Sequence, residues 1–342
     1  MLVALRSFFV GALTAILLIG ISSHQSYGNE KSEREKFIKN IKDLPNRYQE
    51  VKQTAWQKMT DYSKRKTNDP MPIKLLVSPN SKDCSKSAIP IIRAMENIYQ
   101  NTLRPKSLTI IFADEERDGK WLRERTGELL EDKYRSYQGT REINPETVND
   151  KGDGVLWSTN PCRDSGKLSK AEETEISHGF AHVIQTRQFI SSENHWGRWG
   201  EVPRWILEGC ATFNHNYWTH GKNYSNYLRS SENLYDLWKL KPKFFNRFLK
   251  YDNSFQPLWT YTDQWPNQRA YDVGSYVCEM LVALRGPEST MNIYSEYLAT
   301  EDFNTAFKNI YGMTWTEAHP IISKAIYDLI QWNSKYFEFP KN

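Results

Sequence analysis

The sequence predicts an α+β fold, a small N-terminal sheet with helices followed by a mainly helical C-terminal lobe. Three observations predict it. Two short apolar runs, IKLLVS from Ile73 and KSLTIIFAD from Lys106, flank a helical segment, which is a strand–helix–strand pattern. After Ser169 the apolar residues recur at helical spacing almost to the end of the chain. The 342 residues, 39 % hydrophobic and 25 % charged, are enough for a buried core.

The elements follow in order. MLVALR carries one basic side chain, FFVGALTAILLIGI is a short apolar run, and small polar residues lead to Gly28. That tripartite form reads as a secretory signal over residues 1–28. The run is shorter than the roughly 20 residues a bilayer span needs, so an uncleaved anchor is the lesser reading. A secreted or extracytoplasmic location follows. In residues 29–68, Phe37, Ile41, Leu44, Tyr48, Val51, Ala55, Met59 and Tyr62 form one apolar stripe, interrupted by Pro45. This N-terminal helical segment reads as a packing or lid helix. Residues 69–168 form an α/β lobe. Its helix begins with Pro90 in the first turn and carries Ile91, Ile92, Met95 and Ile98 on one side. The charged stretch from Asp114 reads as part loop and part helix, and GDGVLWST as one more strand. Residues 169–342 form the helical lobe. Ser169 and Glu172 make a capping box for a helix over 170–189. Pro203 suits the start of the next helix, RWILEGCATFNHNYW. Later helices are expected at NLYDLWKL, RAYDVGSYVCEMLVAL, NIYSEYLA, FNTAFKNIY and WTEAHPIISKAIYDLIQW.

Composition excludes some functions. A mean hydropathy of −0.70 excludes a multi-span membrane protein, and no membrane role is expected beyond the signal segment. With 45 basic and 41 acidic residues, the net charge of +4 makes no case for nucleic acid. Export permits disulfides. Cys84 and Cys162 lie in polar, turn-rich contexts and are the expected pair. Cys210 and Cys278 lie in apolar helical contexts, as buried thiols or a second bridge. Seven tryptophans fall from Trp196 to Trp265, either a tryptophan-rich core or an aromatic cleft for peptide or glycan.

The chemistry-bearing stretch is EISHGFAHVIQ. His178 and His182 are four residues apart, so on a helix both imidazoles leave one face, one turn apart. Two such nitrogens can reach one zinc ion at about 2.0–2.1 Å. A third protein ligand is available in Glu208, 26 residues after His182, on the next helix. A histidine pair followed by the W-x-x-E-G pattern of Trp205 to Gly209 resembles the gluzincin clan of zinc peptidases, which includes thermolysin-like enzymes and related aminopeptidases. The resemblance covers roughly residues 70–335 and rests on short motifs. It implies zinc as the cofactor, held by His178, His182 and Glu208, and a peptide or protein as substrate or ligand. Gln185 and Ala211 fit the usual surroundings of those ligands. AYDVGSYVCEML resembles the clan's Y-x-x-G helix, which assigns Tyr271, with Gly274 as the glycine, to the side where negative charge develops. A phenol steadies such charge without being a base. Tyr276 is a second candidate.

The chain departs from the clan at Gly179, which follows the first histidine where the clan has its glutamate base. Glycine moves no proton, and general acid–base assistance is worth roughly 10²–10⁴-fold. Zinc could remain while most peptidase activity is lost. Glu175 is the best substitute base. It lies within about 60° of both histidines on the helix face but about 4.5 Å away along the axis. His195, His215 and His220 are other candidate proton carriers or ligands. Three readings therefore stand: a zinc-binding protein with impaired hydrolysis, an active peptidase using Glu175, and a non-catalytic peptide- or glycan-binding surface protein. Asn223-Tyr224-Ser225 is a formal glycosylation acceptor. There is no phosphate-binding glycine loop and no G-x-S-x-G elbow.

Overall fold

A computed structural model describes residues 38–130, 147–149, 151–159, 167–189, 202–230, 237–250 and 266–336. The chain divides into Met1–Lys39 and Asn40–Asn342, and every described helix and strand belongs to the second unit. The signal segment, Phe37, Cys162, His195 and four of the seven tryptophans from Trp196 to Trp265 lie outside the described residues.

The architecture is α+β, with a small mixed sheet and helices in the N-terminal part and a mainly helical C-terminal region. The strands are β1 (Ile73–Val77), β2 (Leu108–Ala113), β3 (Thr147–Val148) and β4 (Gly154–Thr159), in the order β1-β2-β4-β3. β1 and β4 run parallel to β2, and the two-residue β3 is antiparallel to β4. β2 is buried along its whole length, as a central strand covered on both faces should be. Ile111, Ala113 and Val155 on one face pack against Leu122 of the charged helix α3 (Glu115–Leu130). The segment expected to be part loop and part helix is helical from Glu115 to Leu130, with a break in helical geometry at Asp118, and residues 131–146 lie outside the described residues.

The helices before the sheet face differ from expectation in their starts. α1 (Tyr48–Ser63) begins only after Pro45, and Ile41 and Leu44 precede it on a short 3-10 turn. Val51, Ala55 and Met59 are its buried stripe. α2 (Ser85–Ile98) starts five residues before Pro90, which stands inside the helix rather than in its first turn. The cost of that proline is one backbone hydrogen bond. Ile91, Ile92, Met95 and Ile98 are all buried, so the apolar face holds the helix through it.

In the C-terminal region, α4 (Lys170–Phe189) has the predicted bounds, and its cap forms as predicted. Ser169 Oγ accepts from the Glu172 amide at 3.3 Å, and the Glu172 carboxylate accepts from the Ser169 amide. Its second half is buried nearly all round, the mark of a core helix. Gly154 of β4 lets it approach: a Cβ there would stand 2.8 Å from Val183 Cγ1. α5 (Arg204–His220) begins directly after Pro203. α6 (Tyr224–Arg229) is capped by Asn223, whose side chain accepts from the Asn226 amide at 2.9 Å. α7 (Pro242–Leu249), α8 (Pro266–Arg285), α9 (Glu288–Thr300), α10 (Phe303–Tyr311) and α11 (Trp315–Tyr336) complete the region. Of the expected NLYDLWKL helix, the described residues show only a 3-10 turn, Leu237–Lys239. Among the described residues, no helix is long and apolar enough to cross a membrane.

α5 and α8 meet closely. A Cβ on Gly209 would stand 2.4 Å from Gly274 Cα, and one on Gly274 would stand 2.1 Å from the Trp205 carbonyl oxygen. Each glycine costs its helix about 1 kcal/mol relative to alanine, and the backbone approach explains why they are there. Next to this contact, Cys210 and Cys278 are bridged, with Cα atoms 5.2 Å apart. The second bridge left open by the sequence is thus real. Cys84 is also disulfide-bonded. A disulfide between two buried core helices is consistent with an oxidising, extracytoplasmic compartment.

Candidate metal centre

His178, His182 and Glu208 come together, and they form a His-His-Glu group that could hold a metal ion. α4 supplies the histidines one turn apart, and α5 supplies the glutamate in its second turn. His178 Nε2 and His182 Nε2 are 3.1 Å apart. Glu208 Oε2 lies 3.6 Å from the first and 3.3 Å from the second. A tetrahedral centre with bonds of about 2.0–2.1 Å separates its ligand atoms by ~3.3 Å. The three donor atoms therefore already stand at the edges of such a centre.

The tautomer of His182 follows from its neighbour. Gln185 Nε2 donates to the Leu207 carbonyl at 3.0 Å, which turns its Oε1 toward His182 Nδ1 at 2.7 Å. His182 must then donate through Nδ1 and keep the lone pair on Nε2 for a metal. Gln185 also ties α4 to the peptide just before Glu208. Burial holds His178 below the usual imidazole range, against the pull of Glu208. Burial opposes charge on Glu208 as well, but His182 and His178 outweigh it and hold the carboxyl well below its usual range. A lowered His178 and an ionised Glu208 both favour binding of a divalent ion.

Tyr271 reaches this cluster from α8. Its ring stacks on His178, with centroids 5.9 Å apart and planes 16° apart. Burial, and then the Glu208 carboxylate, push its phenol up to about 12, so it stays protonated as a donor. Tyr276, the second candidate, is buried in α8. His215 meets His178 edge-on, with ring centroids 6.4 Å apart. It is not among the three grouped ligands.

Gly179 is buried in α4 and offers no side chain next to the histidines. Glu175 stands one turn earlier. Although it is on the exposed side of the helix, partial burial and the nearby Glu172 push its carboxyl above the ordinary range. Two features of the site went unread in the sequence: Arg204, whose Nε lies 3.6 Å from Glu208 Oε1, and the crosslink through Gln185. Arg204 precedes Glu208 by four residues, a spacing that places the two on one helix face.

The buried histidines make the metal-free protein acid-sensitive. Burial lowers His178, His319 and His215, the last to about 4. All three take up protons more readily in the unfolded chain, near the ordinary 6.5, than in the fold. Stability is therefore full above pH 6.5 and falls as the pH drops toward about 4. Urea midpoints at pH 7.5 and pH 5 should differ in that direction; equal midpoints would contradict it.

Comparison with family models, with curated proteins and with solved structures finds no match to this chain.

Proposed function

We propose that the chain is an exported zinc-binding protein with a gluzincin-like metallopeptidase fold, whose peptide hydrolysis is weak or lost because Gly179 replaces the general base. The observation that carries the reading is the triangle of donor atoms at 3.1, 3.3 and 3.6 Å. Two imidazoles and one carboxylate are a common zinc donor set that leaves a position open for water or ligand. When bound, zinc supplies a Lewis acid and lowers the pKa of its water to about 7. The chain's own groups divide the remaining work. Gln185 orients His182, and Tyr271 donates a hydrogen bond where negative charge would gather on a bound peptide or protein. No group on the helix between the two histidines moves a proton.

The second reading is an active peptidase with Glu175 as the relocated base. Its raised carboxyl favours this, because a proton carrier near neutral pH needs such a shift. Its place one turn from His178 weighs against it.

Metal analysis tests the first reading. The purified protein should carry one equivalent of zinc, and His182→Ala should lose it. Native protein without zinc after loading would end the proposal. A peptide-library assay then separates the readings: ready cleavage by the natural sequence, abolished in Glu175→Ala, would establish the second.

A further inference from the structure

We propose that Arg204 is a positioning residue for Glu208, holding one carboxylate oxygen so that the other is presented to the metal. This rests on the reading of His178, His182 and Glu208 as a metal centre.

The Glu208 carboxylate is divided between two environments. Oε2 faces the imidazole nitrogens, 3.3 Å from His182 Nε2 and 3.6 Å from His178 Nε2. Oε1 faces away from them, 3.6 Å from Arg204 Nε. Arg204 is the first residue of α5, one turn before Glu208 on the same face. Its side chain is 38 % exposed, yet its Nε is buried and makes no hydrogen bond. That N–H is an unspent donor whose nitrogen lies 3.6 Å from Oε1, just beyond bonding range. Arg204 also hydrogen-bonds the Tyr271 phenol and, by that bond and its charge, opposes the upward push on it, so the guanidinium serves both sides of the cluster.

A carboxylate with both oxygens free can turn, or offer both to an ion. One oxygen tied to a guanidinium leaves a single oxygen for the metal. Partners of this kind orient metal ligands, and their loss typically weakens binding 10–100-fold. The competing view is an ordinary half-exposed helix pair, which contributes little to anything. Such a pair would leave metal binding unchanged.

The experiment uses the mature protein with its disulfides intact. Zinc affinity is measured by competition with a chromophoric chelator, and the cobalt(II)-loaded protein is read by visible absorption. Arg204→Met should bind zinc roughly 10–100-fold more weakly and show altered cobalt bands. Arg204→Lys, which retains a cationic donor, should recover part of the affinity. Arg204→Gln is the second neutral variant if methionine disturbs folding, which thermal unfolding of the metal-free forms would show. Wild-type affinity and unchanged cobalt bands in a folded neutral variant overturn the proposal alone. Wild-type protein that takes up no zinc overturns the metal centre, and the proposal with it.

Discussion

Gly179→Glu should raise peptide hydrolysis by the zinc-loaded protein on the order of 10²–10⁴-fold, the usual worth of a positioned general base. The substitution adds a carboxylate directly after His178, on the helix that already holds both imidazoles. It also removes a helix-interior glycine, a change worth roughly 0.5 kcal/mol in helix propensity. Turnover of a peptide library by the natural protein and the variant measures the effect. Adding His182→Ala to the variant should abolish the gain. A folded, zinc-bound Gly179→Glu protein no faster than its parent would show that the missing base is not what holds activity down.

Glu279→Ala should destabilise the fold by about 3–5 kcal/mol, the typical cost of stranding one member of a buried ion pair. Lys52 of α1 and Glu279 of α8 are each 3 % exposed, with Lys52 Nζ 3.4 Å from Glu279 Oε1. The Tyr227 hydroxyl of α6 donates to the same oxygen. Lys52 Nζ also lies 5.2 Å from the Tyr227 ring centroid and 5.9 Å from that of Tyr276. Removing the carboxylate leaves an ammonium group and a phenol without their acceptor. Lys52→Met with Glu279→Gln should recover most of the loss, because the amide still accepts from Tyr227 and no charge is left buried. Urea unfolding of the three proteins distinguishes these outcomes. A loss below about 1 kcal/mol in Glu279→Ala would mean that water reaches the pair.

These two experiments concern features that were unequally readable in the sequence. Gly179 stood out only through the resemblance to a zinc-peptidase motif, which has a glutamate in that place; the structure shows a buried glycine on α4. α4 was legible to the residue, since Ser169 and Glu172 mark its start by a local hydrogen-bond exchange. β2 and β4 were legible as apolar runs. β3 was not, because two residues carry no period, and its pairing with β4 is a tertiary event. The start of α2 was misplaced because proline usually marks a first turn; here the buried isoleucines outweigh one lost hydrogen bond. The burial of Lys52 was not legible, because its partner is 227 residues away. The Cys210–Cys278 bridge was left open in the sequence, as one of two readings, because the cysteines are 68 residues apart. Nothing near either cysteine encodes the crossing of α5 and α8. Gly209 and Gly274 did carry a hint, since a glycine inside a helix asks what comes close to it.

The glycine contact and the disulfide also bear on motion. Glu208 and Tyr271 sit on two helices whose backbones touch and are covalently joined beside the point of contact. Those helices cannot slide past each other or part locally without breaking the bond or opening the whole core. In native-state hydrogen exchange, the amides around Gly209 and Gly274 should therefore be among the slowest, exchanging only through global opening. Glu208 and Tyr271 are thus carried by one crosslinked pair of helices, so their backbones move together or not at all.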